Sequence, residues 1–155
     1  MASSDTQYAL EQLIDRQQID DLLVRYATAI DSKDWDLYET CFTEDAFIDY
    51  ESAGGIKGKL PEIRAWLEKT LAMFPMTQHV VCNRVIEIDG ATAKARSVFY
   101  NPMALPQEDS AHILFFDGGY YNDQLVKTEN GWKIRERIEE SSYSTRLSRV
   151  MQPAK

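Results

Sequence analysis

His79-Val80-Val81-Cys82-Asn83-Arg84-Val85-Ile86, running on to Asp89-Gly90, is the stretch at which the chain changes from helical to extended patterning. The apolar, β-branched run over 78–88 reads as a strand. Asp89-Gly90 is a strong hairpin signal, because a type I′ turn needs positive φ at both central residues. Runs at 92–101, 111–127 and 131–143 read as further strands, and Asn130-Gly131 marks a second hairpin. Upstream of Pro75 the period is helical instead. Leu10, Leu13 and Ile14, then Ile19, Leu22, Leu23, Tyr26, Ala27 and Ile30, recur at three- and four-residue steps, predicting one amphipathic helix or a pair of them. Ser32-Lys33-Asp34 breaks and recaps the chain, and Trp35, Leu37, Tyr38, Cys41 and Phe42 continue as a short second helix. Ala46 to Tyr50 reads as a strand, Gly54, Gly55 and Gly58 as a turn-rich link, and Pro61 opens a third helix with Ile63, Trp66, Leu67, Leu71 and Phe74 on one face. Helices first and a meander of long strands after predict an α+β domain. Its N-terminal helices pack on a strongly curved, mainly antiparallel sheet, a cone-shaped barrel whose mouth they partly close. A single domain over 1–155 is expected, with a peripheral tail from about 145 to 155.

The 155 residues are 44% hydrophobic and 27% charged, the balance of an ordinary soluble globular protein. A net charge of −8, with basic residues scattered rather than striped, argues against nucleic acid or an anionic membrane surface as partner. Cys41 and Cys82 are far apart and form no C-x-x-C, which disfavours a zinc or redox motif; two free thiols are the simpler reading, one disulfide the other. Two histidines and no ligand-spaced carboxylate cluster make a poor metal site, and no metal or organic cofactor is expected. Met1 to Thr6 is polar and lacks the apolar core of a secretory signal, so the chain reads as cytoplasmic, with a small molecule as its partner.

Asp31 and His79 are the candidate catalytic pair. Asp31 continues the apolar face of Leu23 and Ala27, where a carboxylate needs a partner. With so few histidines, His79 is the natural neutral-pH proton carrier. On spacing alone, Asp31 reads equally well as a helix-end aspartate and His79 as a structural histidine at a sheet end. Tyr26 lies in the apolar stripe and Tyr50 shares a strand face with Ile48; each would serve as core packing with a bonded hydroxyl. Met73, Met76, Phe99, Met103, Phe115 and Phe116 predict an apolar cavity suited to an aromatic, polyketide-like or terpenoid substrate rather than a sugar phosphate.

Arg25-Tyr26-Ala27-Thr28-Ala29-Ile30-Asp31-Ser32-Lys33-Asp34-Trp35, followed by Cys41-Phe42-Thr43-Glu44-Asp45-Ala46, resembles the opening of the nuclear transport factor 2-like superfamily, and most closely its SnoaL-like branch. Gly58 before the third helix, Gln78-His79, and Asn130-Gly131-Trp132-Lys133-Ile134 match as well, so the resemblance spans about residues 10 to 143. Within that superfamily the pattern is similar to the Asp–His dyad enzymes scytalone dehydratase, bile acid 7α-dehydratase and hexachlorocyclohexane dehydrochlorinase. The resemblance implies Asp31 and His79 as the base, with Tyr26 as a catalytic helper and Tyr50 polarising the substrate. Arg137 is the nearest match to an arginine on the final strand, although strand parity sets it opposite Trp132 and Ile134 unless a bulge intervenes. Phe115 is expected to contact substrate, and His112 is an open candidate, falling later than the second histidine of scytalone dehydratase.

The implied function is a cofactor-independent, dehydratase-type lyase acting on a small apolar or aromatic substrate, in a homo-oligomer, dimer or trimer. Two alternatives stay open. One is an isomerase or cyclase resembling ketosteroid isomerase, with Asp49 as base. The other is a non-catalytic binding or assembly subunit like the small subunit of ring-hydroxylating dioxygenases.

Overall fold

The computed structural model describes residues 4–106 and 113–145. The first helix, α1 (Ser4–Ser32), is continuous over 29 residues rather than a pair. Ile19, Leu22, Leu23, Tyr26, Ala29 and Ile30 form its buried stripe. Leu10, Leu13 and Ile14, expected on the same apolar face, are exposed. The reason is positional. The Trp132 indole N–H donates to Asp15 at 2.9 Å and Lys127 pairs with the same carboxylate at 2.6 Å. Asp15 lies four residues before Ile19 on the inward stripe, whereas Leu10, Leu13 and Ile14 are rotated about the helix axis away from it.

The end of α1 is set by a Schellman closure. Lys33 takes φ +56, and the N–H groups of Lys33 and Asp34 return to the carbonyls of Ile30 and Ala29 at 3.2 and 2.9 Å. Asp34 then caps α2 (Trp35–Thr40) by accepting from the Leu37 N–H at 2.9 Å, the recapping expected from the sequence. This stop leaves Asp31 in the last turn of α1. The third helix, α3 (Leu60–Leu71), starts at the predicted proline and buries Leu60, Ile63, Leu67 and Leu71.

The sheet contains β1 (Phe42–Asp49), β2 (Lys57–Lys59), β3 (Met76–Thr77), β4 (Val80–Asp89), β5 (Thr92–Leu105), β6 (Ile113–Thr128) and β7 (Gly131–Ser144). Its order is β2-β1-β7-β6-β5-β3, with β4 also on β5. Only the β1–β7 pair is parallel among the described strands. Strands this long curl around the helices instead of lying flat. Register shifts at Cys82/Val85, Gly118/Gly119 and Gln124/Leu125 mark local bends. The result is the expected α+β cone, with α1, α2 and α3 on the concave side.

Both predicted hairpins form, but not through type I′ turns. Asp89 pairs with Thr92 and closes the ladder, so the loop is Gly90-Ala91, with positive φ at Gly90 alone, as in a type II′ turn. In the second hairpin Thr128 pairs with Gly131, which carries φ +89 after the loop Glu129-Asn130, the pattern of a turn closed by a bulge glycine. Each glycine was read correctly as the pivot, but each turn sits one residue away from the dipeptide that signalled it. Cys41 and Cys82 are both free thiols. No described helix is long and apolar enough to cross a membrane. Residues 146–155, and with them most of the expected tail, lie outside the described residues.

Candidate active site

The predicted strand over 78–88 is interrupted where chemistry is found. β3 pairs with Met103 and Ala104 of β5, β4 resumes opposite Tyr100, and Gln78-His79 lie in the break between them. The last turn of α1 crosses this break. Asp31 Oδ1 lies 2.7 Å from His79 Nδ1, Oδ2 accepts the His79 backbone N–H at 2.7 Å, and the Thr77 hydroxyl donates to Oδ1 at 3.0 Å. Three donors converging on one carboxylate fix its orientation. With Nδ1–H directed at Asp31, the acceptor lone pair of the imidazole sits on Nε2.

His79 lines a cavity of about 330 Å³ between the concave sheet and the helices. Tyr26, Tyr50, Trp66, Phe99, Met103 and Phe115 contribute to its wall. The hydroxyls of Tyr26 and Tyr50 are 3.0 Å apart. Burial pushes both phenols up, Tyr50 especially, so both remain protonated donors near neutrality. Tyr50 sits just past β1, where Gly55 folds back on it. A Cβ on Gly55 would lie 2.8 Å from the Trp66 ring and 2.9 Å from Tyr50 Cβ, so only glycine lets this turn close against the cavity wall.

Arg137 is a correction. The bulge between Gln124 and Leu125 places it on the same inward side as Trp132 and Ile134, but it does not line the cavity. Its guanidinium is fully buried, donating through Nε and Nη2 to the two Asp123 oxygens at 2.7 Å each. Its Cζ lies 3.9 Å from the Tyr26 ring centroid and 4.2 Å from that of Tyr121. Nη1 has no hydrogen-bond acceptor, so the two ring faces supply its remaining electrostatic support. Arg137 therefore braces Tyr26 from behind. Met73 and Met76 are exposed, and Phe116 stacks on Tyr100 rather than lining the cavity. Asp49 accepts the Glu51 N–H at 2.9 Å in the turn after β1 and is not in the cavity wall. His112 lies outside the described residues.

Three polar residues were missed by sequence reasoning. Asn101, buried in β5, places Nδ2 3.1 Å from His79 Nε2 and accepts the Gln78 backbone N–H through Oδ1 at 3.2 Å. Asp117 of β6 pairs directly across from Asn101, lines the cavity, and has an Oδ1 without a hydrogen-bond partner. Glu139 of β7 also lines the cavity. Burial pushes its carboxyl up to about 7, with Arg137 opposing and Asp117 adding to the rise. A signal existed for Asn101, since period-two parity from Ser97 and Phe99 puts it on the inward face. Among the described residues no lysine or arginine lines the cavity, which leaves His79 as its only basic group.

An α+β cone with helices over an interior cavity is the architecture of nuclear transport factor 2-like proteins. The SnoaL-like domain family matches residues 11–138, and the chain belongs to it. The uncharacterized protein Rv2910c of Mycobacterium tuberculosis is 38% identical over 135 residues, 87% of this chain and 90% of its own. The solved structure of Kfla4162 from Kribbella flavida superposes with a TM-score of 0.79 at 26% identity, over 88% of this chain and 96% of that one. Hexachlorocyclohexane dehydrochlorinase (LinA) type 2 gives 0.78 at 18% identity, over 94% and 97% of the two chains. A candidate scytalone dehydratase from Novosphingobium aromaticivorans gives 0.72 at 23%, over 86% and 88%. At these identities the last two likenesses establish the shared fold.

Proposed function

We propose that the protein is a cofactor-independent lyase that removes a proton next to an activating group and expels a β leaving group, most simply water. The observation that carries this reading is the 2.7 Å contact between Asp31 Oδ1 and His79 Nδ1, made by an imidazole that lines the cavity. Asp31 orients the ring and stabilises the imidazolium formed as Nε2 takes the substrate proton. Tyr26 and Tyr50 donate to the substrate oxygen on which charge develops. Glu139 holds its proton to about pH 7 and is a second donor for the departing hydroxyl. The apolar wall, with no lysine or arginine lining it among the described residues, favours a small, neutral, largely apolar or aromatic substrate.

The test uses a panel of aryl β-hydroxyketones. Enone formation is followed by absorbance, and C–H to C–D exchange in D₂O by NMR. The wild type is expected to catalyse both. His79→Ala and Asp31→Asn should each lower the rate by roughly 10²–10⁴ while circular dichroism and melting remain those of a folded protein. Undiminished catalysis in either variant ends this reading.

A further inference from the structure

His79 Nε2, the nitrogen assigned above as the base, is not free in this structure. It faces the side-chain amide of Asn101 at 3.1 Å. An asparagine can present either its oxygen or its NH₂ group to a neighbour, and the second contact decides which. The backbone N–H of Gln78 can only donate, and it is shared between the Pro102 carbonyl at 3.1 Å and Asn101 Oδ1 at 3.2 Å, a position that an NH₂ group could not occupy. The oxygen is thereby taken, and the NH₂ group faces the imidazole. An NH₂ group has no lone pair to offer, so Nε2 must be the acceptor.

This opposes the effect of Asp31. A carboxylate hydrogen-bonded to Nδ1 favours the doubly protonated, cationic ring. A proton on Nε2 would instead set N–H against N–H, in a position where Asn101 is only 5% exposed and water cannot easily relieve the clash. The other described ionisable groups lining the same cavity are Tyr26 from α1, whose ring meets His79 edge-on, Tyr50 after β1, Asp117 and Tyr121 from β6, and Glu139 from β7. None of them makes a hydrogen bond to either ring nitrogen among the described residues.

We propose that Asn101 is a positioning residue that keeps His79 Nε2 unprotonated in the free protein and so sets the charge state of the dyad. It rests on His79 being the base. Asp31 supplies orientation and Asn101 the counterweight: the Nε2 lone pair accepts from the Asn101 amide, which a substrate must displace before Nε2 can act as the base. Once Nε2 takes the substrate proton, the same amide disfavours keeping it there. The proton then passes readily to the departing hydroxyl, which leaves as water.

The experiment is a ¹⁵N NMR titration of histidine-labelled protein, with His112→Gln used to identify the His79 signals. Near pH 7 the wild type should show a protonated Nδ1 and a bare Nε2. Asn101→Asp keeps the shape of the side chain and an oxygen for the Gln78 N–H, but replaces the donor with a charged acceptor. It should put a proton on Nε2 and move the ring's titration upward by about 1 to 3 pH units. The acid limb of any turnover profile should move with it. Asn101→Ala, which removes the donor without adding charge, should give a smaller upward displacement.

A proton on Nε2 in the wild type near pH 7, or a titration unmoved in Asn101→Asp, would overturn the proposal. Should Asn101→Asp not fold, the wild-type tautomer and Asn101→Ala decide it. Because the titration needs no substrate, it separates this proposal from the lyase reading. A dyad without catalytic duty would still feel Asn101, and a catalytic dyad indifferent to Asn101 would refute this proposal alone.

Discussion

Two aspartates engage two nitrogenous side chains on either side of Tyr26, and they differ in what remains available afterwards. Asp123 and Arg137 are both fully buried and joined by two parallel hydrogen bonds of 2.7 Å. The pair sits under the rings of Tyr26 and Tyr121, and neither partner lines the cavity. Asp31 and His79 are less sealed, with 25% and 8% of their side chains exposed. The carboxylate engages only one ring nitrogen, and the ring lines the cavity. A guanidinium stays charged at any ordinary pH, so its pair can hold a structure but cannot carry a proton. An imidazole can gain and lose one near neutrality. The contrast makes one pair a brace and the other a candidate machine.

The comparison breaks most directly if the roles can be exchanged. His79→Ala should cause the largest change in rate, roughly 10²–10⁴, with stability altered little by comparison, as read by elimination kinetics beside a thermal melt. Asp123→Ala should do the reverse. Leaving the Arg137 charge buried and unpaired should cost about 3–5 kcal/mol in a denaturant titration. A fully stable Asp123→Ala protein would show that the buried pair is not a brace.

The third effect depends on pH. The Glu139 carboxyl is raised to about 7 in the folded protein, whereas an unfolded glutamate titrates near 4.3. The folded state therefore binds the extra proton between these values. Its stability falls as pH rises through that window, and the loss is complete above about 7. Glu139→Gln should accordingly be more stable than the wild type at about pH 8, by up to roughly 3–4 kcal/mol, and close to it near pH 4. A difference that does not change with pH would contradict a buried, proton-holding carboxyl.

Smallest is Tyr50→Phe, which removes one partner of the Tyr26 hydroxyl. It should cost about 0.5–1.5 kcal/mol in stability and lower turnover more than it raises KM, since the lost donor acts on developing charge.

The period of the apolar residues made the helices, the long strands and the turn regions legible, because burial repeats at 3.6 in one and at 2 in the other. Where the pattern misled, a longer-range constraint had intervened. Leu10, Leu13 and Ile14 have helical spacing but lie off the stripe that faces the sheet. Arg137 changes sides relative to its neighbours through a bulge that no local pattern announces. Asp31 and His79 were visible as residues, and the Schellman turn after Ser32 and the strand break at Gln78-His79 are what bring them to 2.7 Å.

Asn101, Asp117 and Glu139 were not singled out, for a different reason. A polar residue in a strand reads as solvent-facing until the curvature of the sheet closes a cavity over it. The sequence by itself determined the order of elements, the family and the presence of one aspartate and one histidine suited to proton transfer. Only the tertiary structure decided which nitrogen faces which partner, that Arg137 is consumed by Asp123, and that a carboxyl on β7 is buried enough to hold its proton near neutrality. Periodicity is a local property of the chain. Hydrogen-bond direction and desolvation arise only when strands and helices distant in sequence enclose the same small volume.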